Sequence, residues 1–172
     1  MRTNYMNRKV LAMALPALLL LVMAPPVFAE GTITIASRIP YANDDVGRDA
    51  IRTQCTWNSD LPAALVARSN GKVVSTDQDL ATIRGKKLIM TTTDIHAMGG
   101  GGFSGPKWIV VHGELSEDGK VLGNFDFRRV TSHGKMTVCG TLDYIGKALT
   151  NNILIWLENP TMNADSGDPV TN

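Results

Sequence analysis

Two cysteines and three histidines are the scarce reactive residues of this 172-residue chain, and their spacing limits the chemistry open to it. Cys55 and Cys139 stand 84 residues apart, and no Cys-x-x-Cys pair occurs of the kind that lowers a thiol pKa for redox work. Asp94 and His96 are two residues apart, as are His112 and Glu114. On a strand each pair therefore shares a face, but a metal site would need them to converge with further ligands. Glu114 and Asp126 could meet across a hairpin as a glycosidase-type carboxylate pair, although a sheet face excludes water poorly. No Gly-x-Ser-x-Gly elbow is present to seat a nucleophilic serine. The run from Gly100 to Gly105 has the glycine spacing of a dinucleotide loop. It joins one strand to another, however, and so aims no helix N-terminus at a phosphate. The expectation is a non-enzymatic protein with no metal and no cofactor.

These residues are carried by a recognisable run of elements. Thr32 to Ala36 alternates polar and apolar residues as a half-buried strand. Asp45 is read as the N-cap of a first helix carrying Val46, Ala50, Ile51 and Cys55, and Asp60 with Pro62 as the start of a second that Asn70-Gly71 stops. Residues 72–84 give no clear period. Leu88 to Ile95, Trp108 to Leu115 and Val121 to Val130 read as strands, the last two forming a hairpin. With a three-residue turn closed by Gly119, Ile109, Val111 and Leu115 share a buried face with Val121, Phe125 and Phe127. The opposite, wetter face then carries Trp108, Val110, His112 and Glu114 beside Leu122, Asn124, Asp126 and Arg128. Cys139, Leu142, Ile145, Leu149, Ile153 and Trp156 fall on one stripe of a helix that ends near Pro160. His133 falls in the loop before that helix.

The start of the chain reads as an export signal: Arg2, Arg8 and Lys9 precede an apolar run, and Val27-Phe28-Ala29 offers a cleavage site after Ala29. The run is short for a bilayer span and broken by Pro16, so no membrane span is expected once it is removed, and no cysteine stands at the cleavage site to carry a lipid. Without Arg2, Arg8 and Lys9 the 17 Lys+Arg fall to 14 against 16 Asp+Glu. That balance leaves no basic field to hold nucleic-acid phosphates. An oxidising compartment makes a structural Cys55–Cys139 disulfide the expected fate of the two thiols. The whole reads as a signal peptide (1–29), a single α+β domain (30–160) and a disordered tail (161–172). The domain is expected to hold a sheet of about four strands with an antiparallel hairpin and helices on one face, stapled by the disulfide.

The string from Gly99 to Lys107, Gly113-Glu-Leu with Asp118-Gly-Lys, Phe125-Asp-Phe-Arg-Arg, Cys139 and Trp156-Leu-Glu-Asn-Pro resembles small proteobacterial envelope proteins of unknown function. Their layout is similar to the N-terminal domain of TolB and to related outer-membrane lipoprotein domains. The resemblance implies a mixed sheet backed by helices and a periplasmic location; it brings no catalytic residues. The expected role is a binding or envelope-assembly accessory whose partner is another periplasmic or envelope protein, or a second copy of itself. The interface candidates are Trp108, His112, Asn124, Asp126 and Arg128 on the open sheet face and Phe103 in the glycine loop. Two alternatives stand beside it: a small hydrolase or metal-dependent enzyme using His96, His112 and Glu114, and a purely structural envelope protein.

Overall fold

The structure, a computed structural model, describes residues 31–97, 105–132, 135 and 137–165. The export signal, most of the glycine loop with Phe103, His133 and residues 166–172 lie outside the described residues. Among these residues three α-helices pack on one face of a mixed six-stranded sheet: β1 (Ile33–Ala36), α1 (Asp49–Gln54), α2 (Trp57–Arg68), β2 (Val73–Thr76), β3 (Lys86–His96), β4 (Lys107–Glu117), β5 (Lys120–Thr131), α3 (Val138–Glu158) and β6 (Ala164–Asp165). The order across the sheet is β2-β1-β3-β4-β5-β6. β1 runs parallel to β2 and β3, the β3-β4-β5 meander is antiparallel, and β6 runs parallel to β5. The α+β class is as the sequence indicates. The two additional strands come from the stretch without a clear period (β2) and from the residues beyond Pro160 (β6).

Between sheet and helices lies one core. Ile35, Leu88, Ile109, Val111, Leu115, Phe125 and Phe127 line the inner sheet face, and Leu142, Ile145, Leu149, Ile153 and Trp156 face them from the expected stripe of α3. The Trp156 ring meets Phe125 edge to face, with centroids 4.9 Å apart. Cys55 closes the C-terminal end of α1 and Cys139 sits in the first turn of α3, and the two are joined as a disulfide with Cα atoms 5.0 Å apart.

Three local readings are corrected. The hairpin turn has two residues, Asp118-Gly119, both at positive φ (48° and 85°) between the closing pair Glu117 and Lys120. This is the geometry that Asp-Gly favours because it matches the twist of the flanking strands. A bulge then restores the parity that an odd turn would have set: Ser116 pairs with Val121 and Leu115 with Gly123, so Leu122 is the extra residue. Phe125 and Phe127 are thus buried as expected, whereas Val121 is 40% exposed and off the core.

The first helix starts at Asp49 rather than after Asp45. Gly47 has φ +73°, and a Cβ there would lie 2.5 Å from Ile95 Cγ2, so the chain must pass Ile95 before it can coil. The second helix starts at Trp57, which leaves Pro62 inside it. A proline there frees the carbonyl four residues earlier. That carbonyl, on Asn58, instead accepts from Ile39 N–H at 2.9 Å, while Asn58 Nδ2 donates to Ile39 O at 3.1 Å.

Where α2 and α3 face each other, Asp143 Oδ1 is buried without a hydrogen-bond partner among the described residues. Desolvation, and then the Asp60 carboxylate, push the Asp143 pKa up, against a smaller opposing effect of Lys147. A carboxyl whose folded pKa lies above its unfolded value stabilises the fold only at acid pH, and the contribution disappears as pH rises through the folded pKa. Asp143→Asn is therefore expected to raise the urea midpoint at pH 7. The advantage should shrink to nothing toward pH 3, and a variant less stable than wild type at pH 7 would contradict this account.

Candidate functional site on the open sheet face

Alternation along three long strands creates the site. Burying Leu88, Met90, Ile109, Val111, Phe125 and Phe127 inward forces the intervening residues outward. On the β1 side the outer face is closed. The 3-10 turn Leu80–Thr82 sits there, Lys87 Nζ donates to Leu80 O at 2.8 Å, and Thr34 is only 1% exposed. Among the described residues, the face left open is that of β3, β4 and β5.

Its register runs in rows. His96 pairs with Trp108 and Trp108 with Val130; Asp94 with Val110 and Val110 with Arg128; Thr91 with His112 and His112 with Asp126; Ile89 with Glu114 and Glu114 with Asn124. All five interface candidates on these strands are thus brought to one face. Asp94 reaches it because a bulge between Thr92 and Asp94 shifts the β3 register.

Trp108 is the centre of the arrangement. The His96 ring stacks on its indole with centroids 4.0 Å apart and planes 10° from parallel. From the opposite flanking strand, the Arg128 guanidinium lies 4.7 Å from the ring centroid, within cation–π range. Trp108 Nε1 donates to Asp94 Oδ2 at 2.6 Å. Four residues further along β4, about 13 Å at strand rise, His112 Nδ1 lies 3.0 Å from Asp126 Oδ1.

Neither a family of known sequences nor an individually curated protein matches the chain. In outline it is similar to a solved PelC dodecamer from Paraburkholderia phytofirmans. That likeness covers 75% of this chain and 91% of that one, at 18% identity and a TM-score of 0.40, too loose to place any residue of one on the other.

The geometry bears on what the face can do. His96 and His112 sit at different rows, each engaged by its own neighbour, and no three His, Cys, Asp or Glu side chains converge to hold a metal among the described residues. Glu114 and Asp126 occupy adjacent rows in the open. The indole is flanked by a ring from β3 and a guanidinium from β5, so it serves as a framework that fixes its neighbours rather than as a bare platform for a planar ligand. Sequence reasoning grouped Asp94 and His96 only as a metal pair and missed their role in holding Trp108. Only the row assignment, which depends on the β3 bulge, brings them to it.

Proposed function

We infer that the protein is an exported, non-enzymatic binding or assembly module of the bacterial envelope, working through the open face of β3, β4 and β5. The single observation that carries this reading is the held stack of His96, Trp108 and Arg128. Tryptophan and arginine dominate binding energy at protein interfaces. Here both have lost much of their conformational freedom before any partner arrives, so less ordering cost falls on association. Arg128 makes no ion pair among the described residues, and its guanidinium donors remain open to a partner's carboxylate. The signal-like start and the joined cysteines support a periplasmic setting, and no helix among the described residues is long and apolar enough to cross a membrane.

The test is crosslinking in intact cells followed by identification of captured proteins, with wild type beside Trp108→Ala/Arg128→Ala. The double variant is expected to fold, since both side chains lie outside the core, and to lose its specific partner at least tenfold. Every partner retained at wild-type yield would remove the open face from contention.

A further inference from the structure

Asp94 and Arg128 occupy the same register row on either side of Val110. Two strand spacings of about 4.8 Å hold their backbones roughly 10 Å apart, with the Trp108 indole between them: Asp94 accepts from its N–H and Arg128 lies over its ring. The two opposite charges are therefore fixed by one side chain yet kept from each other. Among the described residues neither forms an ion pair.

We propose that the open face docks a second copy of this chain, through a two-fold axis running along β4 in the plane between the two sheets. The proposal rests on the reading of this face as a binding surface and names its occupant. Such an axis keeps every row and exchanges β3 with β5. Each Arg128 then lies over the partner's Asp94, and each Asp94 under the partner's Arg128. The same operation sets the Thr91 hydroxyl against the partner's Asp126, and the exposed Ile89 against the partner's Asn124.

Residues of β4 lie on the axis and meet their own copies, which is neutral for Val110 but repulsive for Glu114. Facing sheets pack at about −30°. With the crossing at Val110, that twist separates the two Glu114 positions, about 13 Å along the strand, by roughly 7 Å sideways, at the wet rim where salt screens them. The patch is small: three strands by seven residues is about 15 by 23 Å, well under the ~800 Å² per partner of a standard interface. The dimer is accordingly reversible and concentration-dependent.

Sedimentation of the mature chain from about 10 μM to about 1 mM in low salt tests this. Wild type is expected to move from the mass of one chain toward two. Arg128→Asp and Asp94→Arg, each checked for native near-ultraviolet dichroism, should each associate at least tenfold more weakly, because like charges then face each other. An equimolar mixture of the two single variants should form a heterodimer, since both contacts become opposite-charge pairs again, and the double exchange Arg128→Asp/Asp94→Arg should self-associate.

Wild type remaining one chain throughout overturns the proposal. So does a dimer indifferent to both single variants, or a mixture of folded variants that fails to associate. A monomeric wild type that still loses its crosslinked partner on Trp108→Ala/Arg128→Ala would leave the binding-surface reading standing and remove only the second copy. A dimer that follows the charge exchange without any other captured partner would show the face to be a self-association surface alone.

Discussion

Replacing Cys55 and Cys139 together by alanine is expected to lower the free energy of unfolding by about 4 kcal/mol. The bridge closes a loop of 84 residues, which removes a large amount of freedom from the unfolded chain and little from the folded one. A loss of that size is a large share of the ~5–15 kcal/mol that holds a typical domain together. The local structure around each sulfur does not depend on the bond. Cys55 N–H donates to Ile51 O at the end of α1, and the α3 N-terminus is capped by Thr137 Oγ1, which accepts from Gly140 N–H. The variant should therefore keep its helices and fail by unfolding more readily, not by losing one element. Urea titration checks this, and removal of the cross-link should also steepen the dependence on denaturant, because the unfolded chain becomes less compact. A loss below about 1 kcal/mol would mean that the staple restrains a denatured state already compact for other reasons.

What the sequence disclosed about the fold tracks how periodic each segment is. Leu142, Ile145, Leu149, Ile153 and Trp156 repeat at helical spacing over four turns, and β4 alternates buried and half-buried residues from Lys107 to Leu115, so tertiary context had little left to decide there. Where one distant contact decides, the local signal misleads. Asp45 is a sound helix-start residue, but Gly47 must pass within contact of Ile95, and that neighbour is nearly fifty residues away. Pro62 reads as a helix start because a proline inside a helix normally wastes a carbonyl, and only the chain at Ile39 shows that this carbonyl is used. β2 is four residues long and β6 only two, each held at an edge by a neighbouring strand. Neither is long enough to display a period.

The candidate site divides along the same line. That Trp108, His112, Asn124, Asp126 and Arg128 share a face follows from strand alternation plus the parity of one hairpin, and here two misjudged details, the turn length and the unseen bulge at Leu122, compensate each other. That Asp94 and His96 join them depends on a second bulge, at Thr93 on β3, which nothing in the local run Thr91-Thr92-Thr93 announces. The candidate site therefore depends on something that no single segment encodes: the alignment of three strands, which fixes who stacks on Trp108.

The inner face of the same hairpin gives the second large effect. Phe125 is fully buried and lies directly over its cross-strand partner Gly113, where an added Cβ would stand 2.2 Å from Phe125 Cζ. The glycine is thus the floor on which the ring lies, and the ring in turn meets Trp156 of α3 edge-on, joining sheet to helix layer. Phe125→Ala is expected to cost about 3–5 kcal/mol, from lost apolar burial and the cavity left between β4, β5 and α3. Gly113→Ala should cost about 1–3 kcal/mol, because the ring must leave a well-packed position.

The informative measurement is the combination. A glycine in mid-strand is intrinsically unfavourable, since it has more backbone freedom to lose on folding and no side chain to pack. Once Phe125 is alanine, the methyl of Gly113→Ala enters empty space, and the substitution should turn from destabilising to neutral or stabilising by about 0.5–1 kcal/mol. Urea titration of the four proteins of this cycle decides it. Additive losses, with Gly113→Ala costing as much without the ring as beneath it, would show that the glycine is required by the backbone and not by Phe125.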